Sequence, residues 1–216
     1  MQIFGFPLSP FVRKVHLAAA EKGIEIETVL FHPSQPPEDF LIASPFRKIP
    51  ALKDGDFTLA DSTAIVTYME AKQPSPALLP AAPQARAKAI WFEEFADTIM
   101  TPVGGKIVFN RLVGPTFLGL EGDEEAAQQG EKDLEPIFAY LEQNAPADVW
   151  LVGEQFSIGD IAVASVLRTL GYVGCGPDAA KHPATAAWFE RVTARAAWQA
   201  VAAREAAVLE RRLANA

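Results

Sequence analysis

The residues best suited to chemistry lie in one stretch, residues 44–68. Asp61 and Ser62 stand directly before the apolar run 64–66 and have the types that begin a helix. The N-terminus of such a helix offers free backbone N–H groups and the positive end of a dipole, which attract a carboxylate. Ser62 adds a hydroxyl, and Asp61 adds a carboxylate that can face an ammonium group. The alternative is that both residues only cap the helix.

Proline and glycine residues indicate the strands and the turn that precede this helix. Pro50 follows Ile49 and lacks an N–H group, so it is expected at the first position of a strand. Asp54-Gly55 lies between two short apolar runs, which is typical of a hairpin turn. The stretch therefore predicts two hairpin strands and then a helix.

This order and spacing resemble the glutathione-binding signature of the glutathione S-transferases. In that family the segment reads Asn-Pro-Phe-Gly-x-Val/Ile-Pro-Ala-Leu, then Asp-Gly, then Glu-Ser-x-Ala-Ile. Here residues 44–52 read Ser-Pro-Phe-Arg-Lys-Ile-Pro-Ala-Leu, followed by Asp-Gly and by Asp-Ser-Thr-Ala-Ile at 61–65. The spacing holds throughout, and serine replaces the usual asparagine at position 44. The pattern is most similar to the phi-like branch.

The resemblance implies that glutathione binds along this stretch as a co-substrate. In the family the proline is cis, which would turn the N–H and C=O of Ile49 outward to pair with an extended peptide beside Pro50. Lys48 occupies the place from which the family reaches the glycine carboxylate of glutathione. Asp61 and Ser62 would receive the γ-glutamyl end. With the whole segment in register, binding is preferred over simple capping.

Ser9 is the catalytic residue that the resemblance implies, at the activating position of serine-type members. Conjugation requires the glutathione thiol to lose a proton, and a hydrogen bond or a nearby helix N-terminus favours the thiolate. The interval from Gly5 to Ser9 is phi-like, whereas that from Ser9 to Arg13 resembles tau-like members. Because residue 9 is not cysteine, the thiol-reductase branches are disfavoured. The alternative is an ordinary N-cap before Pro10.

In the family the second substrate sits between an N-terminal and a helical C-terminal domain, against the first helix of the helical one, and the resemblance implies the same place here. Phe92, Phe95 and Ile99 fall on one face of that helix, a pattern more typical of core packing. We expect Phe11, Phe95 and Ile99 to line an apolar pocket for a small hydrophobic electrophile. Arg13 is expected to pair with an acidic helix instead of touching substrate.

Composition limits the other functions. The 216 residues are half hydrophobic and can bury one large core or two small ones. A net charge of −8 with no basic stripe argues against a nucleic-acid partner. The single cysteine, Cys175, fits a reducing compartment. The chain lacks a signal-peptide pattern, a run long enough to span a bilayer, and metal-ligand spacing. We expect a cytoplasmic protein without a metal or membrane partner.

The chain is expected to divide at a proline-rich linker, residues 73–83. Residues 1–72 predict a thioredoxin-like α/β domain of order βαβαββα, with its first two strands parallel. Its predicted elements are strands at 2–6 and 24–31, helices at 11–22 and 62–71, and a helical turn at 38–43. Residues 84–216 predict an all-α domain, with helices at 84–110, 123–143, 157–170, 183–195 and 198–213. Ser157 and Asp160 form a predicted capping box.

Three functions remain open. The first is a transferase that conjugates the glutathione thiolate to hydrophobic electrophiles, which is the preferred interpretation. The second is a non-catalytic glutathione-binding or scaffold protein, and the third is a related glutathione-dependent isomerase, dehalogenase or lyase. The family also implies a homodimer. Phe46, an aromatic residue in a polar loop, is expected to anchor the partner, the alternative being packing within its own domain.

Overall fold

The computed structural model describes residues 1–213 and begins with a mixed α/β unit. Its elements are β1 (Gln2–Phe4), α1 (Pro10–Glu21), β2 (Glu27–Val29), α2 (Glu38–Ala43), β3 (Ala51–Asp54), β4 (Phe57–Ala60) and α3 (Ser62–Lys72). The sheet has the order β2-β1-β3-β4, with β2 parallel to β1 and the other pairs antiparallel. The predicted order βαβαββα and the parallel first pair are confirmed.

The boundaries of these elements have local causes. Gly23 follows α1 with φ of 65°, the left-handed conformation that ends helices, and Gly55 turns the β3–β4 hairpin with φ of 62°. β2 is shorter than the predicted 24–31, because it pairs with only the three residues of β1. The helical turn at 38–43 is α2, as predicted.

The second half is helical. It comprises α4 (Pro83–Glu94), α5 (Thr101–Val108), α6 (Glu124–Asn144), α7 (Ile158–Gly171), α8 (Pro183–Thr193) and α9 (Ala196–Leu213). π-helical segments at Phe95–Met100 and Phe109–Leu118 join and extend α4 and α5 into one run. That run passes the predicted end at residue 110 and stops at Gly119, which is left-handed. The predicted 84–216 domain includes residues 214–216, which lie outside the described part.

α1 lies at the centre of the molecule, since it contacts α3 in the first half and α7 and α9 in the second. One apolar core runs from Ile3 and Val15 into the helical half. The predicted capping box begins α7, where Asp160 accepts hydrogen bonds from the Ser157 N–H and hydroxyl. None of the helices within residues 1–213 combines the length and apolar character needed to cross a membrane.

Candidate active site

Ser9 is the last residue before α1. Its N–H donates to the Phe6 carbonyl at 3.0 Å, and its own carbonyl accepts from the Arg13 N–H at 2.9 Å. Its backbone is extended, with φ of −66° and ψ of 130°, and its side chain makes no capping hydrogen bond to the helix. The hydroxyl is therefore not used as a helix cap, which was the alternative to a chemical role.

The loop before β3 carries Lys48 and Ile49. The Ile49-Pro50 peptide is cis, as the resemblance implied. The hydroxyl of Ser44 accepts from the Lys48 N–H at 2.9 Å and donates to the Lys48 carbonyl at 2.7 Å. Serine thus closes this loop from the place where the family motif has asparagine, and Lys48 stays exposed at its tip.

Gly5 allows the first turns of α1 and the Ile49 loop to pack closely together. It lies after β1 with φ of 151°, and a Cβ there would be 2.6 Å from Val12 Cγ2 and 3.3 Å from Ile49 Cβ. Any side chain at this position would push the two segments apart. In the sequence Gly5 shows only its spacing from Ser9, and no local pattern marks this packing role.

Asp61 and Ser62 begin α3. The Asp61 carboxylate accepts from the N–H groups of Thr63 at 2.9 Å and Ala64 at 3.0 Å, and its φ is 82°. Asp61 therefore caps the helix, using two of the N–H groups that the sequence analysis offered to a ligand. Ser62, at the first helical position, is only 2% exposed. Its N–H and hydroxyl are the groups of this turn that Asp61 does not use.

A buried cation lies behind this helix start. Lys14 on α1 is 1% exposed, and its Nζ donates to Glu93 and, at 2.6 Å, to Asp97. The hydroxyl of Thr63 donates to the same Glu93 carboxylate. Burial raises the pKa of Asp97 to about 6, although the neighbouring Lys14 lowers it. Carboxylates of the helical half thus support the first turn of α3.

Arg13, beside Lys14 on α1, is also 1% exposed. Its guanidinium pairs with Glu205 on α9 and donates to the Ser165 carbonyl at 2.6 Å and to Thr169 Oγ1 at 2.7 Å. Arg13 therefore pairs with a carboxylate of a helix, as expected, but α9 is not the acidic helix of that expectation, because its sequence holds more arginines than glutamates. Sequence reasoning found neither its partner nor the Lys14 cluster, because no local spacing marks them.

A cleft of about 650 Å³ opens between α3 and the run that begins with α4. It is lined by Phe11, Asp61, Thr63, Glu94, Asp97 and Thr98, among others. Of the residues expected around the second substrate, Phe11 lines this cleft. Phe95 is buried against the rings of Trp91 and Tyr140, and Ile99 lies exposed in the first π-helical segment.

The part of the chain that the structure describes contains no candidate metal site. Residues 1–213 contain no group of three or more His, Cys, Asp and Glu side chains that could hold a metal ion. Cys175 lies near Arg111 and Glu131, and burial, with smaller effects from Glu131, raises the pKa of its thiol to about 11. Such a thiol is a poor nucleophile near neutral pH.

The fold and the site define a two-domain protein, with a thioredoxin-like unit bearing a cis-proline loop and a helical unit packed against α1. The family described as "Glutathione S-transferase, N-terminal domain" matches residues 3–77, and "Glutathione S-transferase, C-terminal domain" matches residues 95–196. The chain belongs to the glutathione S-transferase family. It is a glutathione transferase enzyme.

Relatives support this assignment over nearly the whole chain. Glutathione S-transferase 3 of Zea mays is 32% identical over 92% of this chain and 91% of its own. A glutathione S-transferase from Rhodospirillum rubrum F11 has a crystal structure with a TM-score of 0.85 at 27% identity, covering 93% of this chain and 90% of that one. The structure of glutathione S-transferase-I bound with the ligand lactoylglutathione has a TM-score of 0.82 at 25% identity, covering 94% and 98%.

Proposed function

We propose that Ser9 is the catalytic residue of this transferase and that its hydroxyl stabilises the thiolate of bound glutathione. The observation that carries the proposal is the free hydroxyl of Ser9 at the N-terminus of α1, where no helix cap uses it. A hydroxyl that donates to the sulfur, together with the helix end, lowers the thiol pKa. The thiolate is the form that attacks an electrophile.

The glutathione groove runs from Lys48 to Ser62 in this proposal. The backbone N–H and C=O of Ile49, beside Pro50, pair with the peptide as an added strand. Lys48 is exposed and faces the glycine carboxylate as a point charge. The γ-glutamyl carboxylate takes the N–H and hydroxyl of Ser62, and Asp61 both caps α3 and faces the ammonium group. A relative with a bound glutathione derivative, lactoylglutathione, supports this class of ligand.

The second substrate is a small hydrophobic electrophile that approaches from the side of Phe11. Glutathione and the electrophile are held together, so the enzyme gains by proximity as well as by thiolate formation. The sulfur forms a bond to the electrophilic carbon, and that carbon's leaving group departs with its electron pair. The thiol proton passes to solvent. We also infer a cytoplasmic location, which the single cysteine supports.

The test of this function is Ser9→Ala. The loss of a stabilising donor should reduce turnover of an aromatic chloride near pH 7 by about 10²-fold or more. The thiolate absorbance of bound glutathione, titrated against pH, should show a higher midpoint, while affinity for glutathione should change much less. If the wild-type protein binds glutathione but turns over no electrophile, the scaffold interpretation fits instead.

Ser157→Ala is the matched control, because Ser157 is a true N-cap serine within a capping box. It should lower the free energy of unfolding by about 1 kcal/mol and leave the thiolate midpoint unchanged. If Ser9→Ala behaves in this same way, the catalytic role of Ser9 is wrong and the chemistry belongs to another donor.

We further infer a homodimer in which Phe46 of one protomer inserts into its partner. Phe46 is 86% exposed, which is unusual for a large apolar side chain in a charged loop. In this proposal the receiving surface is centred on Trp91, an exposed ring whose Nε1 donates to the Tyr140 hydroxyl at 3.0 Å. Phe95 lies beneath both rings. Such aromatic clusters are typical of anchor sites at interfaces.

Sedimentation of the wild type at micromolar concentration should give a dimer. Phe46→Ala should weaken it by about 2 kcal/mol or more, the scale of an interface anchor. Ile42→Ala, which removes another exposed apolar side chain in the same domain, is the control and should weaken the dimer less. A wild-type monomer contradicts the dimer, and an unaffected Phe46→Ala dimer contradicts only the anchor.

A further inference from the structure

The peptide group that leads into Ser9 is held from both edges. On one edge, the Ser9 N–H donates to the Phe6 carbonyl within the same turn at 3.0 Å. On the other edge, the Leu8 carbonyl accepts from the hydroxyl of Thr169 at 3.2 Å. Thr169 lies on α7 in the helical half, 161 positions away in the chain. A residue of the second domain thus holds the backbone beside the proposed catalytic serine.

Two carbonyl oxygens, those of Leu8 and Ser165, lie within reach of the single proton of the Thr169 hydroxyl. Arg13 Nη1 donates to Thr169 Oγ1 at 2.7 Å and to the Ser165 carbonyl at 2.6 Å. That carbonyl, 3.1 Å from Oγ1, is the other acceptor within reach of the threonine proton. The Ser165 carbonyl already accepts a short bond from Arg13, whereas among the described residues the Leu8 carbonyl has no comparably close donor besides Thr169, so a proton donated to Leu8 satisfies the acceptor with the greater need. Arg13 Nη2 lies 3.5 Å from the same Leu8 oxygen and offers only weak support.

The network around Thr169 is closed to solvent. Arg13, Thr169 and Glu205 are all buried, and Glu205 both neutralises Arg13 and accepts from the Tyr172 hydroxyl at 2.9 Å. Buried hydrogen bonds of this kind polarise one another and do not exchange readily with water. α7 and α9 therefore present a fixed donor to the Ser9 turn.

Ser9 needs such a fixed donor. Its side chain makes no capping bond, so the position of the hydroxyl depends on the backbone: the Ser9 carbonyl is held by the Arg13 N–H on one side, and the Leu8–Ser9 peptide lies on the other. Rotation of the Leu8–Ser9 peptide would swing the Cβ and the hydroxyl together. A displacement of about 1 Å in a reacting arrangement can cost about 10²-fold in rate. The orientation of this one peptide group therefore sets where the hydroxyl meets the sulfur.

We infer that Thr169 is a positioning residue of the transferase, which orients Ser9 by donating its hydroxyl proton to the Leu8 carbonyl. The inference rests on the proposed role of Ser9. It gives the helical domain a part in thiolate formation, in addition to any part in binding the second substrate.

The variants that test it are Thr169→Val and Thr169→Ser. Valine keeps the shape and removes the hydroxyl, whereas serine keeps the hydroxyl. Thr169→Val should lower kcat by about 10-fold, a part of the cost of a misplaced catalytic group. It should also raise the midpoint of thiolate formation in bound glutathione and leave the KM for glutathione nearly unchanged. Thr169→Ser should restore both the rate and the midpoint.

Thr185→Val is the matched control. Thr185 is buried in the same domain, and its hydroxyl donates to Glu142 at 2.8 Å, away from Ser9. This change should lower the melting temperature and leave the thiolate midpoint where it is in the wild type. Should valine overpack the site at 169, Thr169→Ala removes the same hydroxyl without added bulk. A loss of melting temperature at 169 with an unchanged midpoint overturns the inference.

The double variant Ser9→Ala/Thr169→Val separates this inference from the proposed function. If Thr169 acts through Ser9, the double variant should have the midpoint and rate of Ser9→Ala alone. A shift with Ser9→Ala but none with Thr169→Val overturns the positioning role and keeps the catalytic one. A shifted thiolate midpoint with Thr169→Val but not with Ser9→Ala overturns both assignments. A double variant that is slower than Ser9→Ala alone overturns the inference that Thr169 acts through Ser9.

Discussion

Arg13 and Lys14 are neighbours on α1, and each carries a buried positive charge to carboxylates of the helical half. Arg13 meets Glu205 on α9 and donates to Thr169, whose hydroxyl reaches the turn that ends in Ser9. Lys14 meets Glu93 and Asp97 and supports the start of α3 at Thr63. Two adjacent residues thus connect the second domain to the Ser9 turn and to the α3 end of the proposed glutathione groove.

The two networks differ in their access to solvent. The Arg13–Glu205 pair is enclosed, with both side chains 1% exposed, and the planar guanidinium has several acceptors in fixed directions. In the Lys14 network Glu93 is also enclosed, with its side chain 2% exposed, but the Asp97 side chain is 18% exposed and lines the cleft. Its pKa is raised into the range near pH 6. An enclosed pair gives constant positioning, whereas an open pair responds to pH and to whatever occupies the cleft.

The largest effect is expected for Arg13→Met, which leaves Glu205 buried without its cation. Removal of one partner from a buried ion pair costs about 3–5 kcal/mol of unfolding free energy. Urea denaturation measures it. Adding Glu205→Leu should recover a large part of the loss, because the uncompensated charge is then gone. A single variant within about 1 kcal/mol of the wild type would contradict an enclosed pair.

Lys14→Met should destabilise the protein less, by about 2–3 kcal/mol, because the Thr63 hydroxyl still donates to the buried Glu93 and Asp97 can reach solvent or take up a proton. The same denaturation at pH 7 compares it with Arg13→Met. Lys14 lowers the pKa of Asp97, so its removal should move the Asp97 carboxyl titration, followed by NMR, upward from about pH 6. Equal losses for the two cations would erase the distinction between an open and an enclosed network.

The smallest effect is expected for Asp97→Asn, and it depends on pH. Burial raises the pKa of Asp97 from 3.8 to about 6, so between these values the folded protein keeps a proton that the unfolded chain has released. The contribution of Asp97 to the unfolding free energy therefore falls as pH rises through this window. The wild type should lose on the order of 1 kcal/mol relative to Asp97→Asn between pH 4 and pH 6, since the cleft edge is partly screened. A pH-independent difference would assign Asp97 an ordinary pKa.

Much of the fold was accessible from local sequence patterns. Gly23 and Gly55 mark a helix end and a turn, and Ser157 with Asp160 marks the start of α7. Each of these signals acts between residues close in the chain, where geometry follows directly from residue type. The cis Ile49-Pro50 peptide was predicted from the resemblance to the family motif, and the structure has it. Ser9 and Ser62 remain predictions as site residues, though the structure describes their surroundings.

The site also contains groups that no local pattern marks. Aspartate at position 61 is equally suited to capping a helix and to binding a ligand. Its hydrogen bonds to Thr63 and Ala64 show that it caps α3, while its contact with the ammonium group of glutathione stays a prediction. Phe95 and Ile99 share a helical face by spacing, yet a π-helical segment changes the register there, and Phe95 packs into the core. Spacing alone could not foresee that change of helical period.

Residues distant in the chain make the remaining connections. In the sequence, Arg13, Lys14 and Thr169 cannot be told apart from ordinary surface or helix residues. A residue's type does not show whether its side chain will be buried or exposed. Only the packing of α1 against α7 and α9 removes them from water and gives each a partner. The order of the helices and strands and the positions of the helix caps depend on residues close together in the chain, so they can be predicted from the sequence. The orientation of the Ser9 turn depends on a hydroxyl 161 positions away, and folding alone brings it within reach.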